Sequence, residues 1–195
     1  GFTVTNYAEY LDKYRSDWQV QIKDVSSWSC SHGVGRWCED CGCSTGGHAG
    51  WNQKWRRPLR DAMDYLRDSV TPLFKEYGQK YFKDFLSARY NYIDVILDRS
   101  ITNVRQFQQE YFLPDLSEED KVNAMKLLEM QRQAMLMYTS CGWFFCEISG
   151  IETVQIMKYA ARVIQLAQDF TDNDFETKYL EILSAAQSNY KEIGN

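Results

Sequence analysis

The chain of 195 residues is short of proline, with three residues in all, short of positive charge, and without any long apolar run. Each shortage removes a class of protein. Few prolines beside eleven glycines and 44% hydrophobic residues exclude long disorder and a fibrous chain, and a packed core is expected. A formal net charge of -5 takes away the attraction that dominates nucleic-acid affinity, and no basic arm restores it locally, so nucleic acid is not an expected partner. The longest apolar stretch, Cys141 to Cys146, falls far short of the ~20 residues that span a bilayer, and no membrane partner is expected. A phosphate-cradling glycine loop, a G-x-S-x-G elbow and an H-E-x-x-H pair are all missing. Nucleotide, serine-hydrolase and zincin chemistries therefore lack the residues they need. The chain opens Gly1-Phe2-Thr3, with neither an initiator Met nor a charged-then-apolar leader. One helical domain over residues 1–195, cut from a longer polypeptide, is the expectation.

What is present is helical periodicity, broken once. Tyr7, Tyr10, Leu11, Tyr14, Trp18 and Ile22 recur at a spacing that predicts a first helix from Asn6 to about Ile22. Trp51, Trp55, Leu59, Ala62, Met63, Leu66 and Val70 trace a second stripe, with Pro58 tolerable only in a first turn. Thr71-Pro72 then reads as an N-cap and first helical position, opening a further helix through Leu73, Phe74, Tyr77, Tyr81 and Phe85 towards Tyr92 and Ile96. A helix over Ile101 to Phe112 is expected to stop at Pro114. Ser117 to Asp120 and Ser149 to Glu152 have the form of capping boxes ahead of two more helices. Thr171 to Asp174 starts the last, carrying Phe175, Tyr179, Ile182, Leu183, Ala186 and Tyr190. No segment alternates as a strand. The expected fold is all-α: a bundle of about six or seven helices with one long irregular loop rich in Cys, Trp and Gly.

That loop is the candidate functional segment, residues 24–55. Between Asp24 and Gly50 no period survives, yet six of the eleven glycines, both histidines and four of the six cysteines fall there. Irregular loops beyond about 12 to 15 residues are uncommon in compact domains unless they are functional, disordered or pinned. With no sign of secretion, the cysteines read as metal ligands or reduced thiols in a reducing, cytoplasmic compartment. Cys30, His32, Cys38, Cys41 and Cys43, with Cys141 and Cys146 on a second segment able to fold back onto the loop, are the candidate ligands. Zinc is the expected ion and an iron-sulfur cluster the alternative. Their spacing fits no standard knuckle: Cys38 to Cys41 is a C-x-x-C step without the second one a zinc ribbon needs. Buried reduced thiols, or a disulfide, are the competing readings. A second constellation, Trp28, His32, Arg36, Trp37, Asp40 and Asn52, combines flat indole faces with polar groups, a surface able to stack on a sugar ring and bond its hydroxyls. Glu147 is a carboxylate that burial would make an acid or base, against the plainer reading of a structural hydrogen bond.

Several segments are long enough to carry a family likeness. Ser27-Trp28-Ser29-Cys30-Ser31-His32-Gly33, Arg36-Trp37, Asp40-Cys41-Gly42-Cys43, Gly50 to Arg56, Thr139 to Phe145 and Ile148 to Glu152 resemble a bacterial domain of unknown function. In that family the domain follows a polysaccharide-deacetylase-like (β/α) barrel of glycoside hydrolase family 57 type, α-amylase or α-mannosidase-like. The resemblance implies that the catalytic barrel lies on the N-terminal side of Gly1, and that this chain is an accessory domain packing on it and helping to form its oligosaccharide or polysaccharide cleft. By the same analogy Trp28, His32, Arg36, Trp37, Asp40 and Asn52 would face substrate. The chain departs from the family pattern at Cys38 and Cys146, where a polar or basic and an acidic residue are usual. Both changes favour a metal, cluster or disulfide that relatives lack.

Overall fold

The computed structural model describes residues 1–46 and 48–193. Helices follow one another as α1 (Tyr7–Lys13), α2 (Arg56–Tyr81), α3 (Phe85–Leu97), α4 (Ile101–Tyr111), α5 (Glu118–Leu136), α6 (Cys141–Phe144), α7 (Ile151–Ala167) and α8 (Phe175–Leu183), with a single 3-10 turn at Gly35–Trp37. Among the described residues there is no strand, only two isolated antiparallel bridges, Ser27 with Cys30 and Phe82 with Phe112. The protein is all-α, as its periodicity implies. No helix among those residues is long and apolar enough to cross a membrane.

Short polar side chains set most of the helix starts by taking up backbone N–H groups that have no partner within the helix. Asp84 accepts from the N–H groups of Leu86 and Ser87, Ser100 from Asn103, Ser117 from Asp120 at 3.0 Å, and Asp174 from Thr177 at 3.0 Å. The Ser149 box does not form: Gly150 occupies the cap position with no side-chain bond, and its carbonyl opens α7 by accepting from Val154. The last helix ends at Leu183, so Ala186 and Tyr190 lie beyond it.

At 26 residues α2 is the axis of the bundle, and it packs against α3, α5, α7 and α8. Leu59, Ala62, Met63, Leu66, Val70 and Phe74 form its buried stripe. They meet Leu127, Leu128 and Met130 of α5, Ile156, Val163 and Ala167 of α7, and Tyr179 of α8 in one continuous core. The expected break at Thr71-Pro72 is absent, and α2 runs straight through Pro72. A mid-helix proline costs roughly 3 kcal/mol by removing an N–H and crowding the preceding turn. Here Val70 and Phe74, each worth roughly 1.5–3 kcal/mol when buried, hold the helix on the core on both sides of the ring. The hydroxyls of Ser69 and Thr71 bond back to the carbonyls of Tyr65 and Arg67 across the same stretch.

The first helix also differs from expectation. It stops at Lys13, buries none of its residues, and leaves Tyr7, Tyr10, Leu11, Tyr14, Trp18 and Ile22 exposed. Seven residues are too few for a helix to be stable without tertiary support, and the exposed, irregular chain that follows provides none.

α6 lies close against α7 and also touches the 3-10 turn of the loop. A Cβ on Gly142 would lie 2.9 Å from Cγ1 of the buried Ile156, and the Gly142 carbonyl accepts from the Thr153 hydroxyl at 2.7 Å. Gly142→Ala is therefore expected to destabilise the fold by roughly 1–3 kcal/mol through overpacking. The check is the midpoint of chemical denaturation; an unchanged midpoint would mean that Ile156 turns aside without cost.

Candidate metal centre

Four residues of the loop converge. Ser27 and Cys30 pair in an isolated bridge, and Gly35–Trp37 forms a 3-10 turn in which Trp37 N–H donates to the Val34 carbonyl at 3.0 Å. The turn brings the chain back on itself so closely that a Cβ on Gly35 would lie 3.1 Å from the Cβ of Cys41. Between Cys41 and Cys43, Gly42 adopts a left-handed conformation with φ 77°, which turns the sulfurs on either side of it towards one group. The outcome is that one donor atom each from Cys30, His32, Cys41 and Cys43 lies within 4.8 Å of every other. Sγ of Cys30 is 3.8 Å from Sγ of Cys41, and Sγ of Cys43 is 3.5 Å from Nδ1 of His32. Three sulfurs and an imidazole nitrogen this close together can hold one metal ion.

The surroundings favour negative charge on one sulfur of the group and oppose it on its neighbour. Burial alone pushes the Cys30 thiol up, but backbone N–H groups of Arg36 and His32 and the neighbouring thiols outweigh it and bring the value down to about 6. Burial and the adjacent Cys30 charge push Cys41 up instead. Beneath the group lies Arg56, at 0% exposure, with Nη1 3.9 Å from Cys41 Sγ and 3.0 Å from the Cys43 carbonyl, and Nη2 3.3 Å from the Phe145 carbonyl.

The remaining candidate ligands lie outside this group. Cys38, the first residue of the incomplete C-x-x-C step, turns its Sγ to the Val34 carbonyl at 3.6 Å. Cys141 is exposed at the start of α6. Cys146 does fold back onto the loop, where its buried sulfur lies 3.2 Å from both the N–H and the hydroxyl of Thr45, but it joins Thr45 rather than the other thiols. His48 packs edge-on against Trp51 with ring centres 4.5 Å apart.

Most of the polar groups expected to face a sugar are committed within the fold. Arg36 is buried, donates to the Ser44 carbonyl at 3.2 Å and stacks over Phe144. Trp37 donates its indole N–H to the Ser140 carbonyl at 3.0 Å, and Asp40 accepts from the N–H of buried Gln53 at 2.9 Å. Asn52 pairs through its backbone N–H and carbonyl with the Asn189 side chain at 3.0 and 2.9 Å. His32 belongs to the sulfur group. Asp40 and Asn52 nonetheless stay exposed, the Asn52 side chain accepting from the Lys54 N–H at 3.0 Å, as does Trp28, at 90% exposure, its ring tilted 6.1 Å from that of Phe144.

Glu147 is buried and accepts three hydrogen bonds: 2.7 Å from the Ser188 hydroxyl, 2.9 Å from the Asn189 N–H and 3.2 Å from the Ser149 N–H. Burial alone pushes its pKa up, and these donors more than reverse the effect and hold it below the ordinary carboxylate value, so it stays ionised. Its carboxylate thereby clasps the segment after α8 to the segment after α6. Asn189, distant in sequence from both segments it joins, is the residue the sequence did not single out; Arg56 ends one of the segments that carry the family likeness, but its burial against the sulfurs has no sequence mark.

An all-helical domain with one tight Cys3His group is the class these features define. The chain belongs to the family described as domain of unknown function DUF3536, whose sequence model matches residues 51–195. The four donors lie ahead of the matched stretch, while Arg56, Glu147 and Asn189 lie within it. No curated protein and no solved structure matches the chain.

The Glu147 clasp makes stability depend on pH. A carboxyl held below its ordinary value of 4.5 contributes stability that is complete above that value and is lost as pH falls through the lower folded value. Glu147→Gln should cost roughly 1–3 kcal/mol at neutral pH and narrow the gap to the parent protein on acidification to about pH 3. Denaturation midpoints across that range are the measurement; parallel curves would remove the clasp from the account.

Proposed function

We propose that the chain is a zinc-dependent helical module in which Cys30, His32, Cys41 and Cys43 hold one structural zinc ion. The ion fastens residues 24–55 to the bundle as a preformed surface. The observation that carries this reading is the pair of donor separations. A tetrahedral ion with bonds of about 2.3 Å to sulfur and about 2.0 Å to nitrogen sets neighbouring sulfurs about 3.8 Å apart, and sulfur and nitrogen about 3.5 Å apart. The distances here are 3.8 and 3.5 Å. A polynuclear iron-sulfur cluster puts several atoms between its outer ligands and needs a wider ring than one spanning 4.8 Å, which favours the single ion over the cluster. Four protein donors leave no open position, so the role is structural rather than catalytic. Three thiolates persist best in a reducing compartment, in keeping with a cytoplasmic setting.

Purified protein is expected to carry about one zinc per chain, and cobalt substitution to give the absorption of a tetrahedral thiolate site. Cys41→Ser or Cys43→Ser should abolish both while α2 to α8 keep their far-ultraviolet signal, with cleavage by added protease confined to 24–55. Six titratable thiols in a native, metal-free protein with a protease-resistant loop would refute the proposal.

A second reading gives that surface an occupant. On the family-57 resemblance, the chain accompanies a catalytic barrel in one polypeptide and helps form its sugar cleft, and the exposure of Trp28 favours it, since a free indole face beside Phe144 suits a sugar ring. Oligosaccharide titration of a chain carrying barrel and helical domain, followed by tryptophan fluorescence, should show binding weakened at least tenfold by Trp28→Ala. Equal affinity in the variant would set this reading aside.

A further inference from the structure

Arg56 presents an electrostatic problem that the helical fold does not solve. Its side chain is fully buried, and a guanidinium does not shed its proton in a protein. Among the described residues no carboxylate lies within ion-pairing distance of it, and its Nε has no hydrogen-bond partner. A buried charge needs a counter-charge as well as hydrogen bonds. The carbonyls of Cys43 and Phe145 provide the hydrogen bonds. The group able to provide the charge is the sulfur cluster, through Cys41 Sγ at 3.9 Å from Nη1.

The charge count on the metal side is the mirror image. One divalent ion, three thiolates and a neutral imidazole sum to a single negative charge. We infer that Arg56 is the counter-cation of the Cys30, His32, Cys41 and Cys43 centre and couples its occupancy to the docking of α6 on the loop. This rests on the metal reading above. The guanidinium is a positioning group: it touches no ion, but one nitrogen reaches the sulfur and carbonyl of the metal loop and the other the carbonyl of Phe145 at the end of α6. A planar fork suits these divergent acceptors. Arg36, the other buried guanidinium nearby, has a different role. Like Arg56 it is buried, its Nε has no hydrogen-bond partner and it has no ion pair among the described residues, but its Nη2 donates to the Ser44 carbonyl, its plane lies over the Phe144 ring, and no bond from its side chain to sulfur is found.

The test is competition for zinc between a chromophoric chelator and the full chain, with Arg56→Gln, Arg56→Lys and Arg36→Gln compared with the parent. Loss of an outer-sphere partner weakens metal binding roughly 10- to 100-fold, and Arg56→Gln is expected in that range. Arg56→Lys, which keeps the charge, should restore most of the affinity, and Arg36→Gln should stay near the parent. In the cobalt form, Arg56→Gln should also move the sulfur-to-metal charge-transfer band to lower energy, because a cation beside sulfur stabilises its lone pair; a purely structural role would leave that band in place. Zinc affinity and band position unchanged in Arg56→Gln would overturn the inference while leaving the metal centre standing. So would a loss in Arg56→Lys as large as that in the glutamine variant, and the lysine variant decides the matter alone if the glutamine variant does not fold. A parent chain that takes up no zinc overturns the metal centre and this inference together.

Discussion

Loop, long helix and short helix meet at one buried guanidinium. Arg56 is the first residue of α2, so its backbone belongs to the bundle, while its side chain reaches the Cys41 and Cys43 strip and the end of α6. Its own carbonyl accepts from the indole N–H of Trp143 at 3.3 Å, which ties α6 to the same point from the other side. Removing water from such a group is costly, and the cost is offset only if the surrounding carbonyls and sulfurs stay in place. The position of the loop on the bundle is in that sense an electrostatic requirement and only secondarily a packing one.

A stretch with so little regular backbone must satisfy its polar groups by other means. Side chains of the loop itself and of remote segments do this here. Asp40 takes the Gln53 N–H, Arg36 the Ser44 carbonyl, Cys146 the Thr45 N–H, and Asn189 both backbone groups of Asn52. Glu147 then holds the segment bearing Asn189. Residues that suggest sugar recognition when read along the chain turn out to be parts of this internal bracing, which leaves Trp28 as the free indole of the group. The same economy explains why the thiol group is small. Cys38 and Cys146 answer to Val34 and Thr45, and four donors remain in mutual reach.

The bundle was largely legible before its coordinates, because helical periodicity and caps are local. Ser117 and Asp174 cap as their neighbours imply, and Leu59, Met63 and Leu66 face the core as their spacing demands. Local signals misled at Pro72, where burial of Val70 and Phe74 outweighs a helix breaker, and in α1, where a full apolar stripe has no surface to pack on. In the loop, the abundance of Cys, His and Gly marked the segment, but composition could not separate Cys38 from the other cysteines, and its Sγ turns instead to the Val34 carbonyl.

Composition and spacing alone determined that this chain is helical, that an irregular segment precedes the helix opening near Trp55, and that thiol and imidazole groups are concentrated there, while the start of that segment, Tyr14, escaped them. These are properties of residue type and near neighbours. Only the tertiary structure decided which four donors meet, that Arg56 lies uncompensated beneath them, and that Glu147 and Asn189 close the far side. Those relations join residues up to 137 positions apart, as between Asn52 and Asn189, and depend on how several helices and the loop come to rest on one another. No local pattern encodes that arrangement, because it is set by burial and charge summed over the whole fold.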